Sequence, residues 1–532
     1  MKILKAIVRV LSKRETKIFF ALLALFIITG MWRIAIAFNN NTEIVGVDGG
    51  TYQEGILGQP TAVNPILASN LVDQDLVALT FTPLSYLLDD IQVEEDGRIY
   101  TLILKENLKW DDGEQFTSDD IVFTIDSIKK LGTLSPLAKS WQNIKAERLS
   151  EIKTRIELPN ANLFFKDSLK TTYIIPKHIF GKIPPANFYL STFTLEPVGN
   201  GPYQFKRISK NRDGFINQYE FEKNPLYTGP HTHIQNIIIK FFDTQEKLEE
   251  AFSLKQIQGM GSMTPIGNKT LATSRRNTII SVPMTNYYGI FLNYTRNQIL
   301  KNRELREALQ ATIQKDELIR LAFQGRATVA HSPFPEYGNA DIYDKELAKR
   351  KIESIKAVSG TIEISLSIPD DPSFKIAGEY IQNVWKEAGI DTVNILTIPQ
   401  ENIVEKIIDT RDYEAILFGN SLENKDDIFS FWHSSQRFYP GLNLSLYENK
   451  TVDNLIEQMR QEEKEEKREE IRSTIHGFIK SETPAIFLFS LPYTYILSDS
   501  VNGFNMKEMS APRDRFSAIY DWSVIKARTW KK

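Results

Sequence analysis

The chain has 532 residues, 42% of them hydrophobic and 25% charged, which excludes a disordered or fibrous protein and exceeds what one hydrophobic core usually supports. It contains no cysteine, which excludes disulfides and a cysteine-linked lipid. Setting aside Lys2, Lys5, Arg9, Lys13, Arg14, Glu15, Lys17 and Arg33 takes the count from 64 bases against 67 acids to 57 against 66; a remainder near −9 argues against nucleic acid and mildly favours cationic ligands.

Residues Ile18 to Phe38 form an apolar run of 21 residues broken only by Arg33, close to the ~20 that span a bilayer core as helix. The six bases ahead of it, against Glu15 alone, place the N-terminus in the cytoplasm and the main body outside. A retained anchor is the expected form, because the run is longer than a usual signal core; Ala35-Ile36-Ala37 keeps the rival of a cleaved signal peptide open. Asn39 to Thr42 reads as a short polar linker, Glu43 to Val47 as a first strand, and Gly49-Gly50 as its end.

Further on, Tyr100, Leu102 and Leu104 alternate with Thr101, Ile103 and Lys105, the period of a half-buried strand. Asp112-Gly113 then turns the chain, and Thr117 caps a helix carrying Asp119 and Asp120 in its first turn and Ile121, Ile125 and Ile128 on its apolar stripe. Pro184-Pro185, Gly199 to Pro202 and Val282-Pro283 punctuate the chain. The run Glu457 to Arg472 reads as a solvated helix laced by charges four residues apart. No phosphate-binding GxxxxGK[ST] loop, zinc-binding HExxH helix or GxSxG elbow occurs, so catalysis is not expected. Of the six histidines only His231 and His233 are close, on an expected exposed turn.

The order Lys-Trp-x-Asp-Gly then capped helix resembles a signature of family 5 of the extracytoplasmic solute-binding proteins, the oligopeptide- and dipeptide-binding receptors of ABC importers. Gly199 to Tyr203 (GNGPY) with Glu222 to Tyr227 (EKNPLY) is similar to a second landmark, and Tyr287 to Asn293, Leu305 to Leu309 and Asp316 to Leu318 to a third. Trp432-His433-Ser434, then Asn443 to Asn449 with Asp453, and Thr483 to Phe489 ahead of Gly503-Phe504 complete the order over about residues 44 to 530.

The resemblance implies an α/β, two-lobe periplasmic-binding-protein-like fold with an inserted subdomain, preceded by one transmembrane helix. Its layout would be 1–17 cytoplasmic, 18–38 anchor, 39–42 linker, 43–58 with 195–282 and 493–532 as lobe I, 59–194 as the insert, and 283–492 as lobe II. Two crossover strands would hinge the lobes around the ligand. The implied protein is a monomer that captures peptides and delivers them to ABC permease subunits, with the membrane and no nucleic acid as further partners and no cofactor. A binding protein for a nickel chelate or other small metal complex is one alternative, and a sensor ectodomain without transport another.

Candidate ligand residues come from the same resemblance. Within Tyr413 to Trp432, Gly419 and Ser421 would offer main-chain contacts, and Glu423 would hold the ligand ammonium where the family has an aspartate, with Asp426 and Asp427 as substitutes and a solvated loop as the bland reading. Ser69, Asn70, Leu71 and Trp141 would face the cleft from the insert. Asn286, Tyr287 and Tyr288 would face it from lobe II, or else lie in a buried strand. His433 would contact a metal complex, or cap a helix end.

Overall fold

Ser12 opens the first helix with a reciprocal cap: its hydroxyl accepts from the Glu15 N–H, and its own N–H donates to the Glu15 carboxylate at 2.8 Å. The computed structural model describes residues 12–266, 277–335, 337–338, 341–399, 402–403 and 407–530; Lys2, Lys5 and Arg9 of the basic segment lie outside them. The helix, Lys13–Asn41, buries none of its residues and is long and apolar enough to cross a membrane.

The expected linker is absent as a separate piece. Residues 39–41 are the last turn of the helix, and Thr42 begins a strand, Thr42–Val47. Side chains close the helix end, Asn41 donating to the Ala37 carbonyl and Thr42 to that of Phe38, so the last turn stays satisfied without unwinding. Thr42–Val47 pairs antiparallel with the C-terminal strand Ile525–Trp530, and Trp530 packs edge-on against Phe38.

Beyond this ribbon the chain is mixed α/β, with three sheets in two lobes and an insert. The lobe I sheet has seven strands in the order Asn277–Val282, Tyr493–Ser498, Gly259–Ser262, Thr51–Leu57, Asn236–Phe242, Ile216–Lys223 and Tyr203–Lys210. The insert carries four antiparallel strands, Leu88–Glu94, Ile99–Leu104, Lys153–Glu157 and Lys145–Arg148. Lobe II has six: Thr328–Val329, Ala485–Ser490, Asn286–Leu292, Ala415–Ser421, Glu363–Pro369 and Thr392–Ile398.

Within the insert, Tyr100, Leu102 and Leu104 are buried while Thr101 and Ile103 are half-buried, the alternation expected. Gly113 turns with φ +96°, and Thr117 caps the helix Ser118–Leu131, whose Ile121, Ile125 and Ile128 are buried. The first two landmarks meet in space: Asp111 accepts from the Gly199 N–H at 2.9 Å and donates its own N–H to the Gly199 carbonyl at 2.8 Å. Gly199 must be glycine, because a Cβ there would stand 2.0 Å from the Thr80 carbonyl oxygen at the end of the helix Leu71–Thr80.

The charged run is two helices rather than one. Lys450–Gln461 and Glu465–Glu482 break at residues 462–464, and Arg460 and Arg472 turn inward to the Asp426–Asp427 loop instead of to water. Lobe II also ties its third and last landmarks together: Arg306 on the helix Arg303–Ala311 donates to the carbonyls of Leu300, Lys301 and Thr483 at 2.9 Å, closing the end of Glu465–Glu482.

Two short crossovers connect the lobes, residues 283–285 and 491–492. Asn286 fastens one to the other. Its side chain donates to the Leu491 carbonyl at 2.8 Å and accepts from the Leu491 N–H and the Ser490 hydroxyl, both at 3.0 Å.

Candidate functional site

Between the insert, lobe I and the edge of lobe II lies a cavity of about 310 Å³, at the lower end of small-molecule sites. Most of its wall comes from the insert and from the C-terminal segment 506–520, and lobe II contributes Glu423. Tyr86, Tyr173, Tyr227 and Tyr520 supply aromatic area with polar tips. Four acids, Asp167, Glu423, Glu508 and Asp514, outnumber the two bases Lys170 and Arg513.

The acids differ in how far the protein already uses them. Asp514 accepts from the Ser510 N–H and hydroxyl and the Ala511 N–H, and Asp167 accepts from Lys170 and Asn424. Glu423 is half exposed and meets a long contact at 3.3 Å from Arg513, and Glu508 is exposed. Crowding by the cavity wall desolvates the Glu423 carboxyl and raises it above its ordinary value, although half of the side chain stays exposed, with Arg513 and a hydrogen bond from Thr171 opposing the rise. A carboxylate so placed gains from a ligand cation that restores what desolvation took away.

Arg513 is held in place by its neighbours. Its guanidinium donates to Gln74, and its Nε, although buried, has no hydrogen-bond partner among the described residues. Two residues on, Arg515 is fully buried; it donates to Glu54 at 2.7 Å and to both oxygens of Asp75 at 2.8 and 2.7 Å. Tyr52 and Tyr495 donate to the second oxygen of Glu54 at 2.7 and 2.6 Å. The attraction of Asp75 and Glu54 keeps Arg515 charged despite burial. This network pins the short helical turn Pro512–Phe516 to the strand Thr51–Leu57 and the helix Leu71–Thr80, and so fixes the cavity wall.

The strand Ala415–Ser421 approaches this wall with a free edge. Its neighbour Glu363–Pro369 pairs it only at Ala415 and Ile416. On the other side, Leu422 donates its N–H to the Thr285 carbonyl, and the register pairs Gly419 with Tyr288 and Ser421 with Asn286. The alternation of an antiparallel ladder therefore turns the main-chain groups of Gly419 and Ser421 away from Asn286–Leu292, towards the unpaired edge. Gly419 itself is required by packing, since a Cβ would lie 2.4 Å from the Tyr288 ring.

The other expected ligand residues lie elsewhere. Tyr287 is fully buried and its hydroxyl accepts from Trp432 and Asn420, at 2.8 and 2.9 Å. Tyr288 stacks on Phe489, and burial pushes its hydroxyl up to about 12. Asn286 serves the crossovers. Trp141 is buried edge-on to Phe165. Asn70 caps Leu71–Thr80 by accepting from the Asp73 N–H, Leu71 is exposed, and Ser69 is exposed beside them. None of these seven lines the cavity. Asp426 is taken up by Arg472 at 2.7 Å and Asp427 by both arms of Arg460, which leaves Glu423 as the acid of its loop that reaches the cavity. His433 is buried, stacked on Phe429, and its Nδ1 is 2.8 Å from the Ser435 hydroxyl.

Contacts that join lobe II to the rest include, besides Glu423–Arg513, Ser421 donating to the Ser510 carbonyl at 2.9 Å, Asn424 to Asp167 at 2.6 Å, the Leu163 N–H to the Arg460 carbonyl at 2.8 Å, and Phe164 of the insert packed into a lobe II core. The lobes are thus drawn together. Sequence reasoning missed Arg513, Arg515 and the tyrosines of the wall; the signal for the two arginines was the Pro-Arg-Asp-Arg-Phe cluster of residues 512–516, and the tyrosines, scattered over the chain, gave none.

Residues 64–438 match the profile of the bacterial extracellular solute-binding proteins, family 5. The oligopeptide-binding protein AppA of Bacillus subtilis (strain 168) is 21% identical over 495 residues, 86% of this chain and 89% of the relative. The dipeptide-binding protein of Escherichia coli (strain K12) is 22% identical over 511 residues, 86% of this chain and 93% of the relative. Among solved structures, AppA from Bacillus subtilis in complex with a nonapeptide superposes with a TM-score of 0.76 at 20% identity, covering 90% of this chain and all of that one. NikZ from Campylobacter jejuni in complex with Ni(L-His) superposes at 0.73 and 20% identity, covering 89% of this chain and 99% of that one.

Proposed function

Because this chain belongs to family 5 of the bacterial extracellular solute-binding proteins, a family of receptors and not of enzymes, we propose that it captures short peptides between its lobes and delivers them to an ABC permease. The observation that carries this reading is Glu423, a half-exposed carboxylate at the cavity with Arg513 and Thr171 beside it, standing two residues beyond a main-chain edge at Gly419 and Ser421 that no strand pairs. Peptides of any sequence share an ammonium and a main chain, and these two features meet those two. Arg513, one of the two bases in the cavity wall, supplies a cation for the ligand carboxylate.

A cavity of about 310 Å³ suits a ligand of dipeptide size in the drawn-together form. No histidine lines it, so the nickel-chelate alternative has no imidazole there to draw on. The layout we assign takes residues 43–58, 195–282 and 493–532 as lobe I, 59–194 as the insert and 283–492 as lobe II, which agrees with the membership of the three sheets. The same reading keeps Lys13–Asn41 as a membrane anchor with its N-terminus in the cytoplasm, supported by its length and by the basic flank.

Mass spectrometry of ligand retained by the detergent-purified full chain tests the proposal. Short peptides are expected; retention of a nickel complex without peptide overturns it. Thermal stabilisation should follow dipeptides with a free ammonium and be lost with their N-acetylated forms. The intact mass of the membrane-extracted chain tests the anchor, and a chain beginning at Phe38 would refute it. Stimulation of a permease's ATPase by loaded but not unloaded protein tests delivery.

A further inference from the structure

Three potential metal donors converge on the outer surface of lobe I. In the segment His231-Thr232-His233 the middle residue is buried, and both imidazoles reach the same carboxylate. Asp48, in the turn after Thr42–Val47, stands between them. Its carboxylate oxygens lie 2.9 and 2.7 Å from His231 Nε2, and Oδ1 lies 2.8 Å from His233 Nδ1.

Backbone contacts hold the three together independently of those side-chain bonds. The Gly49 N–H donates to the His233 carbonyl at 2.8 Å, and Lys223 Nζ donates to the Thr232 carbonyl at 2.7 Å. The imidazole rings are 5.5 Å apart and nearly perpendicular, so their nitrogens can address one point without stacking. All three donor atoms fall within 4.8 Å of one another, and Asp48 and His231 are more than half exposed, which leaves an open path for an ion and room for water ligands.

We propose that Asp48, His231 and His233 form a binding site for a divalent transition-metal ion of the zinc and nickel class, distinct from the interlobe cavity, whose wall contains none of the three. Two imidazoles and one carboxylate are the donor set such ions favour, whereas calcium and magnesium favour oxygen alone. A tetrahedral ion with bonds of about 2.0–2.1 Å spaces its donors by roughly 3.3 Å, so the present contacts must open by about half an ångström, a movement exposed side chains make by small rotations.

The bound ion would join the turn that follows the membrane-proximal strand to the loop that precedes Asn236–Phe242, clipping two distant parts of lobe I. One group opposes it. Lys223 Nζ lies 3.4 Å from His231 Nδ1, and a fixed cation beside a divalent one lowers its affinity. Binding in the micromolar range is therefore expected rather than the tighter range of enclosed sites.

The competing account is a plain ion pair between protonated imidazoles and Asp48, which uses the same contacts and needs no metal. Titration of the full chain in detergent, without an affinity tag, separates the two. Zinc followed by calorimetry, and cobalt followed by its visible absorption bands, should each show one equivalent bound, and calcium none. The double variant His231→Ala/His233→Ala should lose binding by at least about tenfold while keeping its melting temperature in the absence of metal. Lys223→Met should tighten binding several-fold. Equal titration of the parent and the double variant, or no uptake by the parent, overturns the proposal; dipeptide stabilisation, which these residues do not touch, stays unchanged in either case.

Discussion

Glu423 and Asp111 show how surroundings give single carboxylates different uses. Glu423 lies at the cavity beside Arg513 and Thr171, so Glu423→Gln should weaken binding of a free-ammonium dipeptide by about 1.5–3 kcal/mol, the scale of a hydrogen bond to a charged group, and leave N-acetylated analogues as they were. Calorimetry with both ligands checks it, and equal loss for both would remove Glu423 from that role. Asp111 sits between landmarks, and burial pushes its carboxyl up to about 6 against 3.8, only partly offset by the Gly199 N–H. A carboxyl whose folded value is raised favours the fold while protonated, so its contribution is fully present below about pH 3.8 and is lost as pH rises to about 6. Asp111→Asn, which still accepts from Gly199, should therefore raise the urea midpoint at pH 7.5 and leave it nearly unchanged at pH 4. Equal shifts at both pH values would contradict this. At this scale the sequence was legible where a residue's role is local, as for Thr117, and silent for Asn286, Tyr287 and Tyr288. Their strand is covered on both faces, Tyr287 and Phe291 facing one core and Ile290 and Leu292 another, so a period of two carries no sign of which side meets ligand.

Elements are joined by contacts that no sequence window contains. The strand at Tyr100 and the helix after Thr117 were readable because each signal lies within a dozen residues, but the charged run 457–472 was read as one exposed helix because its inward partners, Asp426 and Asp427, are more than thirty residues away. Arg515 is the extreme case, since Glu54 and Asp75 lie over four hundred residues earlier in the chain. Arg515→Met keeps much of the volume but leaves two buried acids, Glu54 and Asp75, without the cation they share. Loss of one partner of a buried ionic set costs about 3–5 kcal/mol, so a marked fall in the melting temperature is expected. The same change frees the turn that carries Arg513, and dipeptide affinity should fall with it. The double variant Arg515→Met/Asp75→Leu should recover part of the stability, and failure to recover any would mean that packing rather than charge holds the turn.

At the scale of the molecule, the receptor must exist in two arrangements whose free energies differ by little, so that a ligand touching both lobes decides between them. Polar contacts across the gap at Ser421, Glu423, Asn424 and Leu163 draw the lobes together, and each, being partly exposed, is worth on the order of 1 kcal/mol. Against so small a sum, what limits opening is the stiffness of the crossovers, and Asn286 is the side chain that makes two short strands move as one. Asn286→Ala deletes three hydrogen bonds there, and the Asn286 side chain neither lines the cavity nor makes any of the hydrogen bonds named across the gap. The unliganded variant should therefore open further, seen as a larger radius of gyration by small-angle scattering, while the dipeptide-bound form keeps the parent's value. Because ligand must then close a wider population, apparent affinity should fall severalfold through a slower association with an unchanged dissociation rate. An unliganded radius equal to the parent's would show that the crossovers are stiff without Asn286, and a faster dissociation would place its effect in the closed site instead of the hinge.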